Sequence, residues 1–216
     1  MEVKKDNIGI SKATIARLPA YLRYLKEKQA KGEKKASSTA IAEEMHLNAV
    51  QVRKDLALVS DGGRPKVGYN RKALIDDIEQ FFGYDYTNTA VIVGSGKLGK
   101  ALLDYVGFAE YGLNVAAAFD VDESIVGTLE SGKPILHISQ LEQFCRDNKV
   151  LIGIITVPAA HAQEVCDLLV NNGIKAIWNF APTHIDAPAD ILVQYENMAT
   201  SLAVLSKHLS AQINGY

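Results

Sequence analysis

The fold class of this chain follows from one segment, Ala90-Val-Ile-Val-Gly-Ser-Gly-Lys-Leu-Gly99. Its four leading apolar residues predict a buried strand, and glycines in the pattern Gly-x-Gly-x-x-Gly follow them directly. Apolar residues at helical spacing come next and predict a helix whose inner face is made by Leu98, Ala101, Leu102, Tyr105 and Val106. A strand, a glycine turn and a helix in this order are typical of a dinucleotide-binding turn.

Each glycine has its own physical role in such a turn. Gly94 makes the tight bend, Gly96 lets the backbone approach a pyrophosphate, and Gly99 allows the helix to pack closely on the strand. A second strand, 115–119, ends in Asp120, whose carboxylate would bind ribose hydroxyls and repel a 2′-phosphate. The sequence therefore predicts a site for NADH or NAD+ formed by Gly94, Ser95, Gly96, Lys97, Leu98, Gly99 and Asp120.

Strands and helices continue to alternate after Asp120. Ser139 and Glu142 resemble a capping box, Val150–Val157 has the pattern of a doubly buried strand, and a helix over 159–172 leads to a strand over 174–180. This alternation predicts an α/β domain with a doubly wound, open parallel sheet. Ligands bind beyond the carboxyl ends of such strands. We therefore expect the nicotinamide half of the cofactor at Thr156, Val157, Pro158, Asn179, Phe180, Ala181 and Pro182.

The first 75 residues differ in charge from the rest of the chain. They contain 16 Lys and Arg against 8 Asp and Glu, whereas residues 76–216 contain 7 against 17. A basic module attached to an acidic body indicates a polyanionic partner for the first module only. A solvated basic surface without a partner is the alternative.

Helix signals organise this basic module. Ser11 can cap a first turn, and Pro19 fits the first position of a following helix. Ser38 would open a short helix over 39–45, and Asn48 with Gln51 resembles a capping box for a helix over 49–59. Two short helices joined by a tight turn form the helix-turn-helix pattern of DNA-binding proteins.

The helix over 49–59 would present polar and basic side chains to DNA, with Val50 and Leu56 turned inward. Residues 61–69 combine glycines with a cationic tip and predict a β-hairpin wing that enters a minor groove. An ordinary surface loop is the alternative for this segment. The predicted contacts to DNA bases and phosphates are Ser37, Ser38, Asn48, Gln51, Arg53, Lys54, Arg64, Pro65 and Lys66.

Two helices complete the predicted organisation. Residues 69–86 have the pattern of a linker helix, and residues 197–213 carry an apolar seam of Met198, Leu202, Leu205, Leu209 and Ile213. We expect the seam to pack across the two-fold axis of a homodimer, because helix-turn-helix proteins use dimers to match two half-sites. The predicted domains are a winged helix-turn-helix domain over 1–85, a Rossmann domain over 86–195 and a C-terminal dimerisation helix over 196–216.

Composition excludes several other classes of protein. The 216 residues are 48% hydrophobic and 22% charged, which is ordinary for a globular protein, and the longest apolar runs are too short to span a membrane. The N-terminus lacks the apolar core of a signal peptide. Cys145 and Cys166 are too few for a disulfide framework or a zinc site. We expect a cytoplasmic protein without a metal.

The motifs together resemble, over nearly the whole chain, the Rex family of redox-sensing transcriptional repressors. The resemblance implies a homodimer with a winged-helix domain, a Rossmann domain and a swapped C-terminal helix. It also implies inverted-repeat operators, release from DNA by NADH and competition by NAD+. The matching stretches are Ala20-Tyr-Leu-Arg23, Gln51-Val-Arg-Lys-Asp-Leu56, Gly63-Arg-Pro-Lys-Val-Gly-Tyr69, Val93-Gly-Ser-Gly-Lys-Leu-Gly99, Phe119-Asp-Val-Asp122, Thr156-Val-Pro158 and Trp178-Asn-Phe-Ala-Pro182.

The chain departs from the family pattern near its C-terminal helix. The resemblance implies an Asp there, joined to a Tyr and an Arg in a network that senses the redox state, and the last two match Tyr105 and Arg23. Here Ala199 and Thr200 follow Asn197-Met198 instead. We expect NADH to bind nonetheless, also through Tyr105, with discrimination from NAD+ resting more on the shape of the nicotinamide pocket.

Two other functions compete with a repressor. A small NAD-dependent oxidoreductase would need a general acid or base, for which His161 and His184 are the candidates because they follow strand ends. A thiol switch would use Cys145 or Cys166, but both lie in apolar helical patterns where cysteine is usually inert. No histidine and aspartate spacing supports catalysis, so we expect no enzyme.

Overall fold

A computed structural model describes residues 10–84 and 86–214 of the chain, without the side chains of Met198 and Asn214. It divides into two compact units, Met1–Tyr86 (unit 1) and Thr87–Tyr216 (unit 2). The predicted boundary residue Asp85 lies outside the described residues, as do residues 1–9, which include the segment compared with a signal peptide.

Unit 1 is a small helical domain with a two-stranded antiparallel sheet, in which Lys35 pairs with Asn70 and Ala36 with Tyr69. Its buried core comes from every helix and includes Leu18, Leu22, Ile41, Val52 and Leu74. The elements are α1 (Lys12–Ala30), β1 (Lys35–Ala36), α2 (Ser38–Glu44), α3 (Ala49–Ala57), β2 (Tyr69–Asn70) and α4 (Arg71–Phe82).

The first helix corrects the prediction made from Pro19. Ser11 caps α1 as predicted, since its hydroxyl accepts a hydrogen bond from the Thr14 N–H at 3.1 Å. However, α1 continues through Pro19 and ends at Ala30, so Pro19 does not begin a new helix. A proline inside a helix costs one backbone hydrogen bond. Leu18 and Leu22 are buried on either side of Pro19, and packing of this apolar face outweighs that cost.

The caps of the helix-turn-helix differ in detail from the prediction. Ser37, not Ser38, caps α2, because its hydroxyl accepts from the Ala40 N–H at 3.1 Å. Asn48 caps α3 as predicted, accepting from the Val50 N–H at 2.8 Å. Gln51 does not complete a capping box, since its amide donates to Asp55 instead.

The segments after α3 form the wing and a core helix. Arg64 and Gly68 exchange both backbone hydrogen bonds, at 3.0 and 2.9 Å, so the predicted wing is a tight turn on the β1–β2 sheet. The predicted linker helix is instead part of the domain, because Leu74 and Ile78 of α4 are fully buried and α4 packs on α1. A helix with this much buried apolar surface stabilises the unit that it contacts.

Unit 2 is a doubly wound α/β domain, as predicted. Its sheet has the order β5-β6-β4-β3-β7-β8-β9, and all neighbours are parallel except β5 and β6. Val91 and Val93 of β3 pack in one core cluster with residues of the later helices, while Ala90 and Ile92 pack in a second cluster with Leu103. Alternate residues of the central strand thus face opposite layers. The helices of unit 2 are α5 (Lys97–Asp104), α6 (Leu141–Asn148), α7 (Ala162–Asn171) and α8 (Met198–Asn214).

Three strands of this sheet were not predicted. β5, β6 and β9 have two, four and four residues, and they lie outside the longer strand-like segments 150–157 and 174–180 from which the equally short β7 and β8 were predicted. The strands of unit 2 are β3 (Asn88–Val93), β4 (Leu113–Asp120), β5 (Gly127–Thr128), β6 (Pro134–His137), β7 (Ile152–Ile155), β8 (Ala176–Asn179) and β9 (Leu192–Tyr195).

Two helix predictions in unit 2 are corrected. α5 ends at Asp104, and Tyr105 has extended backbone angles (φ −70°, ψ 105°), so Tyr105 and Val106 are exposed rather than on its inner face. The predicted capping box at Ser139 is absent from the described structure around α6. His137 Nδ1 accepts from the Ser139 N–H at 3.3 Å, and Glu142 pairs with Arg146.

The last helix, α8, exposes its apolar seam. Leu202, Leu205, Leu209 and Ile213 are 53–73% exposed within the single chain. Asn197 caps the helix, because its side-chain oxygen accepts from the Ala199 N–H at 3.0 Å. Among the described helices, none is both long enough and apolar enough to cross a membrane.

Candidate functional site

The glycine loop of unit 2 is constrained at two of its three glycines. Gly94 has φ +103°, and a Cβ at this position would lie 3.0 Å from backbone atoms of Thr156 and Val157. A Cβ on Gly99 would collide with the carbonyl oxygen of Gly94. Both glycines are therefore required by the protein's own packing.

Gly96 differs from the other two glycines. A Cβ at Gly96 would meet nothing within 4 Å, and its φ of −65° is accessible to any residue. Gly96 is also the N-cap of α5, where backbone N–H groups are left without helical partners. The free space in front of this helix terminus fits a bound phosphate group.

Asp120 stands at the end of β4 beside the loop. Its Oδ2 accepts from the Ser95 N–H at 2.5 Å, and its Oδ1 accepts from the Asp122 N–H at 3.1 Å. A carboxylate has about four acceptor positions, so both oxygens retain capacity for ribose hydroxyls. The Ser95 hydroxyl is buried without a hydrogen-bond partner among the described residues. The loop and Asp120 therefore fit a dinucleotide.

A cleft of about 720 Å³ opens in front of the loop. It brings together Gly94, Gly96 and Asp120 with all three residues of the predicted segment Thr156–Pro158. The Thr156 hydroxyl donates to the Gly94 carbonyl oxygen at 2.6 Å and so ties this segment to the loop. These three residues, predicted to contact the nicotinamide half, thus share one cleft with the glycine loop and Asp120.

Several lining residues were missed from the sequence. Val121 directly follows Asp120, so the rule that selected Thr156 would also have found it. Ile138 and Ser139 follow β6, a strand that was not predicted. Glu164, Val165 and Leu168 lie on α7, where no strand end marks them. The missed lining residues are Val93, Val121, Ile138, Ser139, Glu164, Val165 and Leu168.

The segment 179–182 does not line this cleft. The Asn179 side chain is fully buried, its oxygen accepting from the Ala181 N–H and its nitrogen donating to the Thr183 carbonyl, both at 2.9 Å. Phe180 packs against Trp178, and Pro182 is exposed. Asn179 thus stabilises a turn with both the oxygen and the nitrogen of its side-chain amide.

Two predicted residues of the glycine loop lie in the first turn of α5, where Lys97 is exposed and Leu98 is half-buried.

Unit 1 contains a cationic groove of about 640 Å³ between α2, α3 and the wing. Six of the nine predicted DNA-contacting residues line it, and three different segments of the chain supply them. They are Ser37, Ser38, Arg53, Arg64, Pro65 and Lys66.

The other three predicted contacts, Asn48, Gln51 and Lys54, lie outside the groove lining. Lys54 is exposed on α3, whereas the Asn48 and Gln51 side chains are engaged in the cap and in the bond to Asp55. Val50 was predicted to face inward, but 53% of it is exposed. The buried side of α3 is formed instead by Val52, Asp55 and Leu56.

Asp55 is the centre of a buried polar cluster. Its carboxylate accepts from Arg17 Nε at 2.7 Å and Nη2 at 2.8 Å, from the Tyr21 hydroxyl at 3.0 Å and from Thr14 and Gln51. Burial alone would raise the pKa of Asp55, but these hydrogen bonds, Arg17 foremost, hold it below its ordinary value. The folded structure of unit 1 therefore favours the charged form of the Asp55 carboxyl group.

The predicted switch residues belong to both units. Arg23 is exposed on α1 of unit 1. Tyr105 in unit 2 is 54% exposed, with its ring 4.9 Å from that of Phe108. Ala199 and Thr200 lie in the first turn of α8, where both N–H groups donate to Asn197.

The candidate histidines and cysteines have different environments. His161 lines the cleft, while His184 stacks on Tyr195 at 5.2 Å. Burial raises the pKa of the Cys145 thiol to about 11, and burial with nearby carboxylates raises that of Cys166. Within 10–84 and 86–214, no group of three or more His, Cys, Asp or Glu is placed to hold a metal.

Both units match known protein families. A model described as a putative DNA-binding protein N-terminus matches residues 9–57, and a model described as a CoA binding domain matches residues 85–183. The chain is 42% identical over 206 residues to the redox-sensing transcriptional repressor Rex of Bacteroides fragilis, covering 95% of this chain and 94% of that protein. It is also 42% identical over 197 residues to Rex of Carboxydothermus hydrogenoformans, covering 91% and 95%.

Solved structures agree with these sequence relatives. The crystal structure of RSP in complex with β-NAD+ and operator DNA has a TM-score of 0.84 and 34% identity, covering 95% of this chain and 97% of that one. RSP in complex with β-NADH has a TM-score of 0.82, also at 34% identity, covering 94% and 96%. With a basic helix-turn-helix unit and a dinucleotide-type loop in one polypeptide, and with such relatives along almost its full length, the chain belongs to the Rex family of redox-sensing transcriptional repressors.

Proposed function

We propose that this chain binds operator DNA as a homodimer and represses transcription until NADH, bound in the cleft of unit 2, releases it. NAD+ competes for the same cleft. The observation that carries the proposal is the presence of a cationic groove and a dinucleotide-type cleft in one chain. Its relative RSP has been solved with β-NAD+ and operator DNA and, separately, with β-NADH.

In the cleft, each part of the cofactor meets a different feature of the chain. The backbone at Gly94, Ser95 and Gly96 and the N-terminus of α5 hold the pyrophosphate. Asp120 accepts from the adenosine ribose hydroxyls and disfavours a 2′-phosphate, since the Glu164 carboxylate in the same lining adds further negative charge. The nicotinamide carries the redox signal, and we assign Tyr105 to sensing it because this residue matches the family's sensing tyrosine.

In the groove, the contacts divide into base readout and backbone positioning. Arg53 and Lys54 project from α3 toward base edges. Arg64 and Lys66 at the wing enter the neighbouring minor groove, and Ser37 and Ser38 bind phosphates. Gln51 contributes less than its residue type promises, because Asp55 holds its amide.

Release from DNA requires a dimer with two geometries. The exposed seam of α8 supplies the surface through which two chains associate. NADH shifts the population because it binds one geometry more tightly than the other. Since its target is genomic DNA, the protein acts in the cytoplasm.

The decisive experiment measures operator binding by wild type and by two glycine variants, Gly96→Ala and Gly127→Ala. The purified chain selects a duplex from a random library at stated salt, and binding is repeated with NADH and with NAD+. We expect NADH to release wild type. Gly96→Ala folds, because its Cβ meets nothing within 4 Å, but it fills the space for the pyrophosphate and abolishes release. Gly127→Ala, equally open, is the matched control and keeps release.

Each outcome separates the parts of the proposal. A wild type that selects no duplex contradicts the repressor function. A wild type that binds DNA but ignores both nucleotides contradicts the sensing function. Release that survives in Gly96→Ala contradicts the assignment of the glycine loop.

We also infer that the chain is not an enzyme. One observation favours an oxidoreductase, namely that His161 lines the cleft. A general acid or base must act at the reacting group, but the relatives that match almost the whole chain are named as transcriptional repressors and not as enzymes. Steady oxidation of NADH with a carbonyl substrate, lost in His161→Ala, would overturn this inference.

A further inference from the structure

The outer face of the recognition helix α3 has an apolar centre. At about 100° per residue, Val50 and Ala57 fall on one stripe, opposite the buried residues Val52, Asp55 and Leu56. Val50 is 53% exposed and Ala57 is exposed. The stripe runs along the middle of the face that points away from the core of unit 1.

Cations flank this stripe on both sides. Arg53 and Lys54 are exposed and lie one turn from Val50, within side-chain reach of it. Arg53 and Ala57 line the groove that the wing residues Arg64 and Lys66 complete. A single exposed valine is ordinary on a protein surface, but Val50 lies one helical turn from two exposed cations, at the edge of the cationic groove and not in its lining.

Gln51, the other candidate for reading bases near the start of α3, is held elsewhere. Its Nε2 donates to Asp55 Oδ1 at 2.9 Å, so the amide faces the buried cluster and not the outer stripe. The first turns of a recognition helix contact base edges in the major groove. Because Gln51 is engaged, Val50 is the residue of the first turn of α3 whose side chain faces away from the core of unit 1.

We propose that Val50 reads a thymine of each operator half-site by packing on its C5-methyl group. The inference rests on the proposed function, since it requires α3 to enter the major groove. Thymine alone presents an apolar group there, and aliphatic side chains are its complement. The contact buries apolar surface between Arg53 and Lys54, whose side chains are proposed to reach base edges on either side of it.

The test removes one methyl group at a time. Thymines of the selected operator are replaced singly by uracil, which lacks only the C5-methyl, and affinity is measured with the full-length chain. We expect wild type to lose about fourfold in affinity at one thymine of each half-site, the value of one buried methyl group. On the thymine operator, Val50→Ala is expected to bind more weakly than wild type by a similar factor. Replacing that thymine by uracil should not weaken the binding of Val50→Ala any further, because the two groups act through one shared contact.

A matched variant controls for the loss of an exposed aliphatic side chain. Leu58 is 52% exposed at the C-terminal end of the same helix. Leu58→Ala is expected to keep the wild-type response to uracil, and circular dichroism verifies that both variants fold.

The outcomes distinguish this inference from the proposed function. A wild type that selects no duplex overturns both. A wild type that binds a specific duplex with no response to any single methyl overturns only the inference. A Val50→Ala variant that keeps the full uracil response also overturns it, because another residue then makes the contact.

Discussion

Arg17 and Asp55 form a two-pronged ion pair that joins α1 to the recognition helix α3, with Nε to Oδ2 at 2.7 Å and Nη2 to Oδ1 at 2.8 Å. Asp55 is fully buried, whereas 25% of the Arg17 side chain is exposed. Thr14 and Tyr21 of α1 donate to the same carboxylate. One side chain of α3 therefore fixes how this helix lies on α1, and hence how it meets a ligand.

Removing this carboxylate destabilises unit 1. Asp55→Ala leaves the Arg17 guanidinium and the Tyr21 hydroxyl without their partner, and we expect a loss of about 3 kcal/mol in the free energy of unfolding. Scanning calorimetry of the full chain measures the loss. The control is Glu142→Ala, which breaks an exposed pair with Arg146 (63% and 72% exposed) and costs about 0.5 kcal/mol or less. Equal losses in both variants would refute the role of Asp55.

The same group gives unit 1 an acid-sensitive stability. The folded pKa of Asp55 lies below its ordinary value of 3.8, so its contribution is complete above that value and is lost as the pH falls through the lower folded pKa. The stability advantage of wild type over Asp55→Asn is expected to be constant near neutral pH and to shrink below about pH 4. Thermal melting as a function of pH measures this difference. An advantage that stays level down to pH 2 would mean that Asp55 is not the titrating group.

The two outer glycines of the loop differ from Gly96 in what they tolerate. Gly99→Ala places a Cβ against the Gly94 carbonyl, a backbone atom that cannot turn away, so we expect a loss of about 1–3 kcal/mol in stability. Gly96→Ala has open space and is expected to melt like wild type while losing NADH affinity. Melting curves and NADH titrations of both variants make the comparison. A Gly99→Ala variant as stable as Gly96→Ala would contradict the packing argument.

Ala199 tests how this chain discriminates the two redox forms. An Asp in the first turn of α8 is compatible with folding, because it complements the helix dipole. We expect Ala199→Asp to raise the ratio of NADH to NAD+ affinity at least about threefold, a coupling of order 1 kcal/mol. Titration with each nucleotide gives the ratio, and Ala199→Asn controls for side-chain size without charge. An unchanged ratio would show that the residue at this position has no part in discrimination.

The cysteines are expected to take no part in redox sensing. Both are buried, and a thiol with its pKa raised to about 11, as in Cys145, holds almost no thiolate at neutral pH. The double variant Cys145→Ser, Cys166→Ser should therefore release DNA at the wild-type NADH concentration. Operator binding under reducing and mildly oxidising conditions measures this. Loss of the response in the double variant, with melting unchanged, would establish a thiol switch instead.

Much of unit 2 was predictable because its signals are local. The turn at Gly94 needs a positive φ and Gly99 needs a missing Cβ, and these requirements are visible as residue types at fixed spacing. The α/β order was predictable from the alternation of strand and helix patterns. The cleft segment Thr156–Pro158 was predictable because it lies at the carboxyl end of a predicted strand. β5, β6 and β9 were not predicted, since they are short and lie outside the longer strand-like segments that marked β7 and β8.

In unit 1 the sequence determined the caps at Ser11 and Asn48, because a side-chain oxygen next to a helix start acts within a few bonds. Only the tertiary structure decided that α1 runs through Pro19, that Gln51 turns to Asp55 and that Val50 faces outward. The first and third outcomes depend on which helix face is buried. Gln51 bonds to a residue only four positions away, but that residue, Asp55, is buried against Arg17 and Tyr21 of α1, which are 38 and 34 positions from it. Local preferences of about 1–3 kcal/mol are outweighed there by packing and buried hydrogen bonds, which a single stretch of sequence does not display.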